Sequence, residues 1–248
     1  MREEMDALFR RLSFYADLGE SELASLNALP HRVETYESGE EIVSRGEDPG
    51  EAFVVSSGWA ARYISLEDGR SQILNFMLPG DVYDLQVFVT NGADHSVIAL
   101  NKVAVLEIKR RDILSLFTEG GRTGAAFWWC TLQEEAILRE HIVRNGRRSA
   151  RERVAHILLE LHRRAVIAGE GAGETFHMPV SQAMLADALG LSFVHINRVL
   201  REFEKTGVIE RAKAHITIVD RKRLVEMCDF QEDYLHLDDN PRRLGFNF

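Results

Sequence analysis

The stretch Ser181–Phe203, SQAMLADALGLSFVHINRVLREF, constrains this chain more than any other. Met184, Leu185, Ala188 and Leu189 recur at helical spacing and stop at Gly190. Glycine tolerates the left-handed backbone that a tight interhelical turn requires. Ser192 then stands where an N-cap belongs, its hydroxyl able to accept from a backbone N–H of the next helix. Within that helix Ile196, Val199, Leu200 and Phe203 form an i, i+3, i+4, i+7 stripe that must face inward. The other face carries His195, Asn197, Arg198 and Arg201, side chains suited to base edges and phosphates. Two short helices around a tight turn are the arrangement that lays a second helix in a DNA major groove.

A net charge of −9 at first argues against a polyanionic partner, but the charge is unevenly distributed. Residues 1–140 carry 13 Lys/Arg against 24 Asp/Glu, whereas residues 141–225 carry 15 against 9. The tail from 226 carries 2 against 6. The basic part of the chain is thus the part that holds the two-helix motif, and a local basic field is what phosphate neutralisation needs. A solvated basic helix explains Arg147–Arg153 equally well, but not the coincidence with the motif.

At 248 residues the chain can hold two modest domains, each with its own core. No apolar run approaches a membrane span and no apolar leader follows a basic start, so a cytoplasmic protein without membrane contact is expected. Cys130 and Cys228 belong to no CxxC or Cys/His ligand pattern, which argues against zinc and iron–sulfur sites.

Helical patterning over Glu3–Leu12 and Glu20–Ala28 ends near Pro30. From Gly39 the texture changes: Gly46, Gly58, Gly69, Gly80 and Gly92 recur every 11 or 12 residues, several in turn contexts (Asp68-Gly69, Pro79-Gly80, Asn91-Gly92). Between them lie the β-prone runs Ala52–Ser56, Ala60–Leu66, Gln72–Leu78, Ser96–Leu100 and Val103–Ile108, the pattern of an antiparallel sandwich or jelly roll. After Arg110 the pattern is helical. Gly120-Gly121 separates a short helix from a long one over about Gly124–Val143, with a stripe of Ala125, Trp129, Leu132, Ala136 and Val143, widened by Trp128, Leu138 and Ile142. That stripe reads as a seam between two copies of the chain, with an intrachain core helix as the alternative. Asn145-Gly146 is expected to break this helix. A second long helix starts at Ala150 and runs to the Gly-rich Gly169–Gly173. Past the two-helix motif, Gly207–Glu210 and Ile216–Val219 read as two strands of a wing around Ala212–Ala214. Asp220 caps a further short helix, and Asp229–Phe248 reads as an extension packed on the surface.

This order of parts resembles the family of bacterial transcription regulators that includes the cyclic-AMP receptor protein and the FNR oxygen sensor. The β-domain series with Pro79-Gly80-Asp81, the stretch GRRSARERVAHILLEL (Gly146–Leu161) and MLADALGLSFVHINRVLREFEKTGVIE (Met184–Glu210) carry the likeness over roughly residues 10–225. It implies an α+β chain: an antiparallel β-roll (jelly roll) sensor domain with N-terminal helices (1–120), a dimerisation helix and hinge (121–146), a winged helix-turn-helix (147–225) and a C-terminal extension (226–248). It also implies a homodimer on a two-fold symmetric double-stranded DNA site, with RNA polymerase as a further partner. The arginine that contacts guanine falls on Arg198. The family's more N-terminal reading positions, often Arg and Glu, fall on Phe193 and Val194, so a carboxylate acceptor for cytosine N4 is missing. Expected DNA contacts are Ser181, Gln182, Ser192, Val194, His195, Asn197, Arg198, Arg201 and Lys213, with Val194 against a thymine methyl and Asn197 able to pair with adenine. The expected dimer contacts are Trp129, Leu132, Ala136 and Val143.

Cyclic-nucleotide-binding members hold an anion with an Arg-Ser pair, preceded by a Gly-Glu-Leu segment that meets the ribose. Here those positions read His95-Ser96 and Tyr83-Asp84-Leu85. Neutral His does not replace a permanently charged planar fork, so cyclic AMP is not expected. The candidate effector pocket comprises Tyr83, Asp84, His95 and Ser96, its effector and any cofactor left open.

Competing chemistry is weaker. His95 with Asp94 and Asp84 reads as a metal or ligand site, or more simply as a histidine satisfied by a carboxylate. His156, Glu160 and His162 read as a metal cluster, or as the polar margin of a helix whose core face is Val154, Ile157, Leu158 and Leu161. GEGAGE at Gly169–Glu174 lacks the Lys-Ser/Thr of a phosphate loop and reads as a loop, and Trp128-Trp129 as core or interface. No GxSxG elbow, HExxH or dinucleotide fingerprint occurs, so an enzyme is not expected. The alternative from another class is a small-molecule-binding module whose helical part contacts proteins.

Overall fold

The computed structural model describes residues 3–48, 50–85, 92–118 and 122–237. Asn91 of the expected Asn91-Gly92 turn, the separator Gly120-Gly121 and the tail from residue 238 lie outside the described residues. The chain forms two compact units. One comprises Met1–Ile64, Phe76–Glu135 and His236–Phe248, the other Ser65–Asn75 and Ala136–Leu235.

The first unit opens with a 3-10 turn (Glu3–Met5), α1 (Asp6–Leu12) and α2 (Glu20–Ala28). Among the described residues eight strands follow: β1 (Arg32–Tyr36), β2 (Glu41–Val43), β3 (Glu51–Ser57), β4 (Ala60–Ser65), β5 (Ser71–Met77), β6 (Val82–Tyr83), β7 (Ser96–Ala99) and β8 (Val103–Lys109). They form two four-stranded sheets, ordered β1-β8-β3-β6 and β2-β7-β4-β5. The five strands expected from the Gly-punctuated runs are present within a residue or so of their bounds. β1, β2 and β6 are additional: β1 and β2 are short and partly exposed runs that carry little apolar signal, and β6 is a buried pair too short to show a period.

β3 and β8 are covered on both faces, which is why each is an almost unbroken apolar run. Side chains alternate across a strand. Phe53 and Val55 therefore join Val103, Val105, Tyr83 and Val97 in one core. Ala52 and Val54 point the other way and join Leu106 and Ile108 beneath Leu8, Leu12, Ile113 and Phe127. Gly80, in the expected Pro-Gly-Asp turn, has φ +93°, and a Cβ there would come within 2.7 Å of the Ala7 carbonyl, so glycine is demanded twice over. After β8 come α3 (Arg110–Thr118) and α4 (Arg122–Arg147).

The second unit contains the C-terminal part of α4, then α5 (Ala150–Ala168), β9 (Gly171–Ala172), β10 (Thr175–His177), α6 (Gln182–Leu189), α7 (Phe193–Lys205), β11 (Ile209–Ala212), β12 (His215–Ile218) and α8 (Arg221–Cys228). A sheet ordered β11-β12-β10-β9 flanks its helices. Asp220 caps α8 as expected, accepting from the Arg223 N–H at 3.0 Å.

Three expectations are corrected here. Asn145-Gly146 does not break α4, which runs on to Arg147. Asn145 is held in the helix by donating to the Ala188 carbonyl at 3.0 Å. The break comes one turn later, where Ser149 and Glu152 form a reciprocal capping box that starts α5. Second, Gly169–Glu174 is not merely a loop: Gly171 pairs with Phe176 and Ala172 with Thr175, giving a hairpin pinned by the fully buried Phe176. Third, the tail does not simply lie on the surface, because Phe230 and Leu235 are buried.

The tip of the β4–β5 hairpin belongs to this second unit. Gln72 donates to the Ala188 carbonyl at 3.3 Å, and the Leu74 carbonyl meets His141 Nδ1 at 3.1 Å. The C-terminal end of α6 thus receives Gln72 and Asn145 on one carbonyl and Arg153 on the next, at 2.9 Å from the Leu189 oxygen. Donors at that end satisfy carbonyls that the helix leaves unpaired.

Candidate nucleic-acid interface and sensor cavity

Ser181 caps α6 by accepting from the Met184 N–H, and Ser192 caps α7 by accepting from the His195 N–H. Gly190 lies between them with φ +60°, in the left-handed region. The two helix axes differ in direction by 109°, within the range of helix-turn-helix units. Ile196, Val199, Leu200 and Phe203 are buried as the spacing requires. The opposite face is open: His195, Arg198 and Arg201 are exposed, and Phe193 and Val194 are 54% and 72% exposed.

Among the described residues Arg198 and Lys213 form no salt bridge, which leaves both cations available to a ligand. Asn197 instead donates to Gln182 Oε1 at 2.9 Å, so two expected DNA contacts meet each other across the turn. Lys213 stands at φ +56° in the turn between β11 and β12, at the tip of the wing. The acidic side chains of α7 are turned to other partners: Glu202 pairs with Arg151 at 3.3 Å and Glu204 with Arg211 at 2.8 Å. The exposed face therefore keeps its positive charge.

The four candidate effector residues are all buried. Tyr83 stacks on Phe53 with ring centroids 5.1 Å apart, and burial raises its hydroxyl pKa well above the ordinary range. Ser96 Oγ accepts from the Arg45 N–H at 3.0 Å. His95 sits between two carboxylates, with Asp94 at 2.7 Å from Nδ1 and Asp84 at 3.0 Å from Nε2. The hydrogen bond from His95 lowers the Asp94 pKa. Asp84 holds φ +58°, a conformation that costs a non-glycine residue energy and that Asp tolerates better than most.

Sequence reasoning missed the cation of this site. Arg62, on β4, reaches Asp84 at 3.9 Å and hydrogen-bonds Glu134 on α4. Burial works against its charge, but Glu134 and Asp84 outweigh it and raise the Arg62 pKa. The available signal was period two: Ala60 and Arg62 share one face of a strand whose Ala60 is core. Beside this cluster a cavity of about 400 Å³ is lined by Tyr83, Leu85, Leu114, Phe117, Trp128 and Thr131.

The expected dimer stripe is divided. Trp129 stacks on Tyr15 at 6.2 Å and Ala136 is buried, so both are spent inside the chain. Leu132 is half-buried and Val143 is 47% exposed. Trp128 and Ile142, expected only to widen the stripe, are its most exposed large apolar members. An apolar residue on a helix fills whichever neighbour the fold supplies, and periodicity does not say which of two adjacent faces that is.

The reading of His156 and Glu160 as a polar margin is also corrected, since both are completely buried. Glu160 accepts from His141 at 2.9 Å, Arg144 at 3.2 Å and Tyr234 at 3.0 Å. Burial alone would raise the Glu160 pKa, but His141 and Arg144 hold it far below the carboxylate range. His162 meets the Gly173 carbonyl at 2.9 Å. Among the described residues no three His, Cys, Asp or Glu are placed to share a metal ion.

Two protein families match this chain. The cyclic nucleotide-binding domain matches residues 33–119 and the Crp-like helix-turn-helix domain residues 152–227. The chain is 29% identical over 219 residues to the nitrogen fixation regulation protein FixK of Bradyrhizobium diazoefficiens, covering 88% of this chain and 91% of the relative. It is 28% identical to the transcriptional activator protein FnrL of Cereibacter sphaeroides, covering 92% of each. The solved structure of FixK2 from Bradyrhizobium japonicum superposes with a TM-score of 0.73 at 28% identity, over 80% of this chain and 98% of that one.

Proposed function

Because the chain belongs to the Crp/Fnr family of DNA-binding transcription regulators, we propose that it acts as a cytoplasmic homodimer reading a two-fold symmetric DNA site. One observation carries this reading: the exposed, cationic and Ser192-capped face of α7. Val194, His195, Asn197 and Arg198 read base edges, with Val194 against a thymine methyl and Arg198 bidentate to guanine. Ser181, Gln182, Ser192, Arg201 and Lys213 hold the phosphate backbone. RNA polymerase is the further partner that the family likeness suggests.

The dimer seam runs along the exposed side of α4, with Trp128 and Leu132 on its first-unit part and Ile142 and Val143 on its second-unit part. The sensor site takes no cyclic nucleotide, because its buried Arg62 is already engaged by Asp84 and Glu134. A phosphate entering there would meet two carboxylates. The neighbouring cavity suits an apolar effector instead.

The test uses a duplex selected from a random pool by the intact protein. Arg198→Ala should weaken its binding by roughly 1–3 kcal/mol and relax preference at one base position. Unchanged affinity and preference would remove Arg198 from the reading face. A shallow salt dependence in the intact protein would favour the rival reading, a small-molecule module that contacts proteins.

A further inference from the structure

The matched helix-turn-helix domain ends at residue 227, yet the chain continues into a packed segment. After α8, Asp229 takes a left-handed φ of +49° and turns the backbone. Phe230 then meets the His156 ring edge-on at 5.1 Å, and Tyr234 stacks on the same ring at 5.8 Å with planes 18° apart. The Tyr234 hydroxyl donates to Glu160 Oε2 at 3.0 Å. Burial and the Glu160 charge keep this phenol protonated, so it remains a donor.

Glu160 is the joint of the second unit. Its carboxylate gathers His141 and Arg144 from the end of α4 and Arg164 from α5, and Arg164 also donates to Asn75 at 3.1 Å. Between the two helices only Arg148 and Ser149 are non-helical. α5 in turn packs against α6 and α7. The direction of α7 relative to the end of α4 therefore depends on how firmly α5 is seated on this buried carboxylate.

We propose that Phe230–Leu235 is a strap that fixes α5 on α4, with Tyr234 as a positioning residue for DNA binding that acts through Glu160. The strap touches no DNA. It raises the fraction of molecules whose recognition helix is correctly set, and apparent affinity scales with that fraction. This inference rests on the DNA-reading proposal above for its functional arm only.

Tyr234→Phe keeps the ring contacts with His156 and removes only the hydroxyl. Native-state amide exchange across residues 144–152 should quicken about ten-fold, on the scale of one hydrogen bond to a charged group. Binding of the selected duplex should weaken in proportion to the fall in the correctly set fraction, by at most about ten-fold, with an unchanged salt slope because the phosphate contacts are intact. Exchange at the junction identical to the parent overturns the strap. So does quickened exchange throughout the chain together with a lowered unfolding midpoint, which is the signature of a merely structural tyrosine. If the parent protein selects no duplex, the DNA reading fails, and the exchange data still decide the strap.

Discussion

Single positions differ in how openly they state their role. Gly190 states it in the sequence: an apolar run that stops at a glycine before a capping serine leaves one conformation available. The structure adds that a Cβ at Gly190 would find only Arg153 Nη1, at 3.9 Å. Space is therefore no obstacle, and the φ of +60° is the whole cost of substitution. Gly190→Ala should destabilise the chain by about 1 kcal/mol, read as a shift in urea midpoint without a change in slope. Arg62 is the opposite case. Nothing within ten residues of it announces Glu134, which lies on another element and forms its partner only after the sheet and α4 have assembled. Tyr83, Asp84, His95 and Ser96 were legible as a group from resemblance. That their charges are answered from within the chain was not.

Elements were legible where a periodic pattern had a clear end. α5, α6, α7 and the long strands β3 and β8 fall where the sequence puts them, because each buries a full face and carries its own cap or turn. β9, β10 and the 3-10 turn at Asp233–Leu235 were not legible, because two- and three-residue elements owe their form to neighbours rather than to period. α5 also hid its polar core. His156 and Glu160 look like a solvent margin by spacing, but the tail and α4 close over them. Burial pushes the His156 pKa down to about 3, with Arg144 and Arg148 adding to the fall. The unfolded chain takes up that proton from about pH 6.5 downward, and the folded chain refuses it until about 3. The contribution is thus complete above 6.5 and lost as pH falls through this window. His162, also lowered by burial, acts in the same sense. His156→Phe should flatten the fall in stability between about pH 6.5 and 5, measured by urea unfolding at a series of pH values. The contribution of Glu160 is complete above its ordinary pKa of 4.5 and is lost only below it, outside that range.

For the whole molecule, the proposed function requires that two copies align two recognition helices. Ile142 is 74% exposed on α4. Ile142→Glu should leave the monomer folded and shift sedimentation from dimer to monomer. The two-fold duplex should then be bound at least about ten-fold more weakly, since the second half-site no longer profits from the first. The same mutant bound as tightly as the parent would argue against the α4 seam. A different consequence follows from the β4–β5 hairpin, whose tip Ser65–Asn75 belongs to the unit built from Ala136–Leu235. During synthesis this tip leaves the ribosome before any other part of its unit exists. Gln72, Leu74 and Asn75 must wait for Ala188, His141 and Arg164 to be translated. The second unit is therefore complete only once α4 to α7 have been translated, and no single cut between codons would yield two genes that each encode a complete unit.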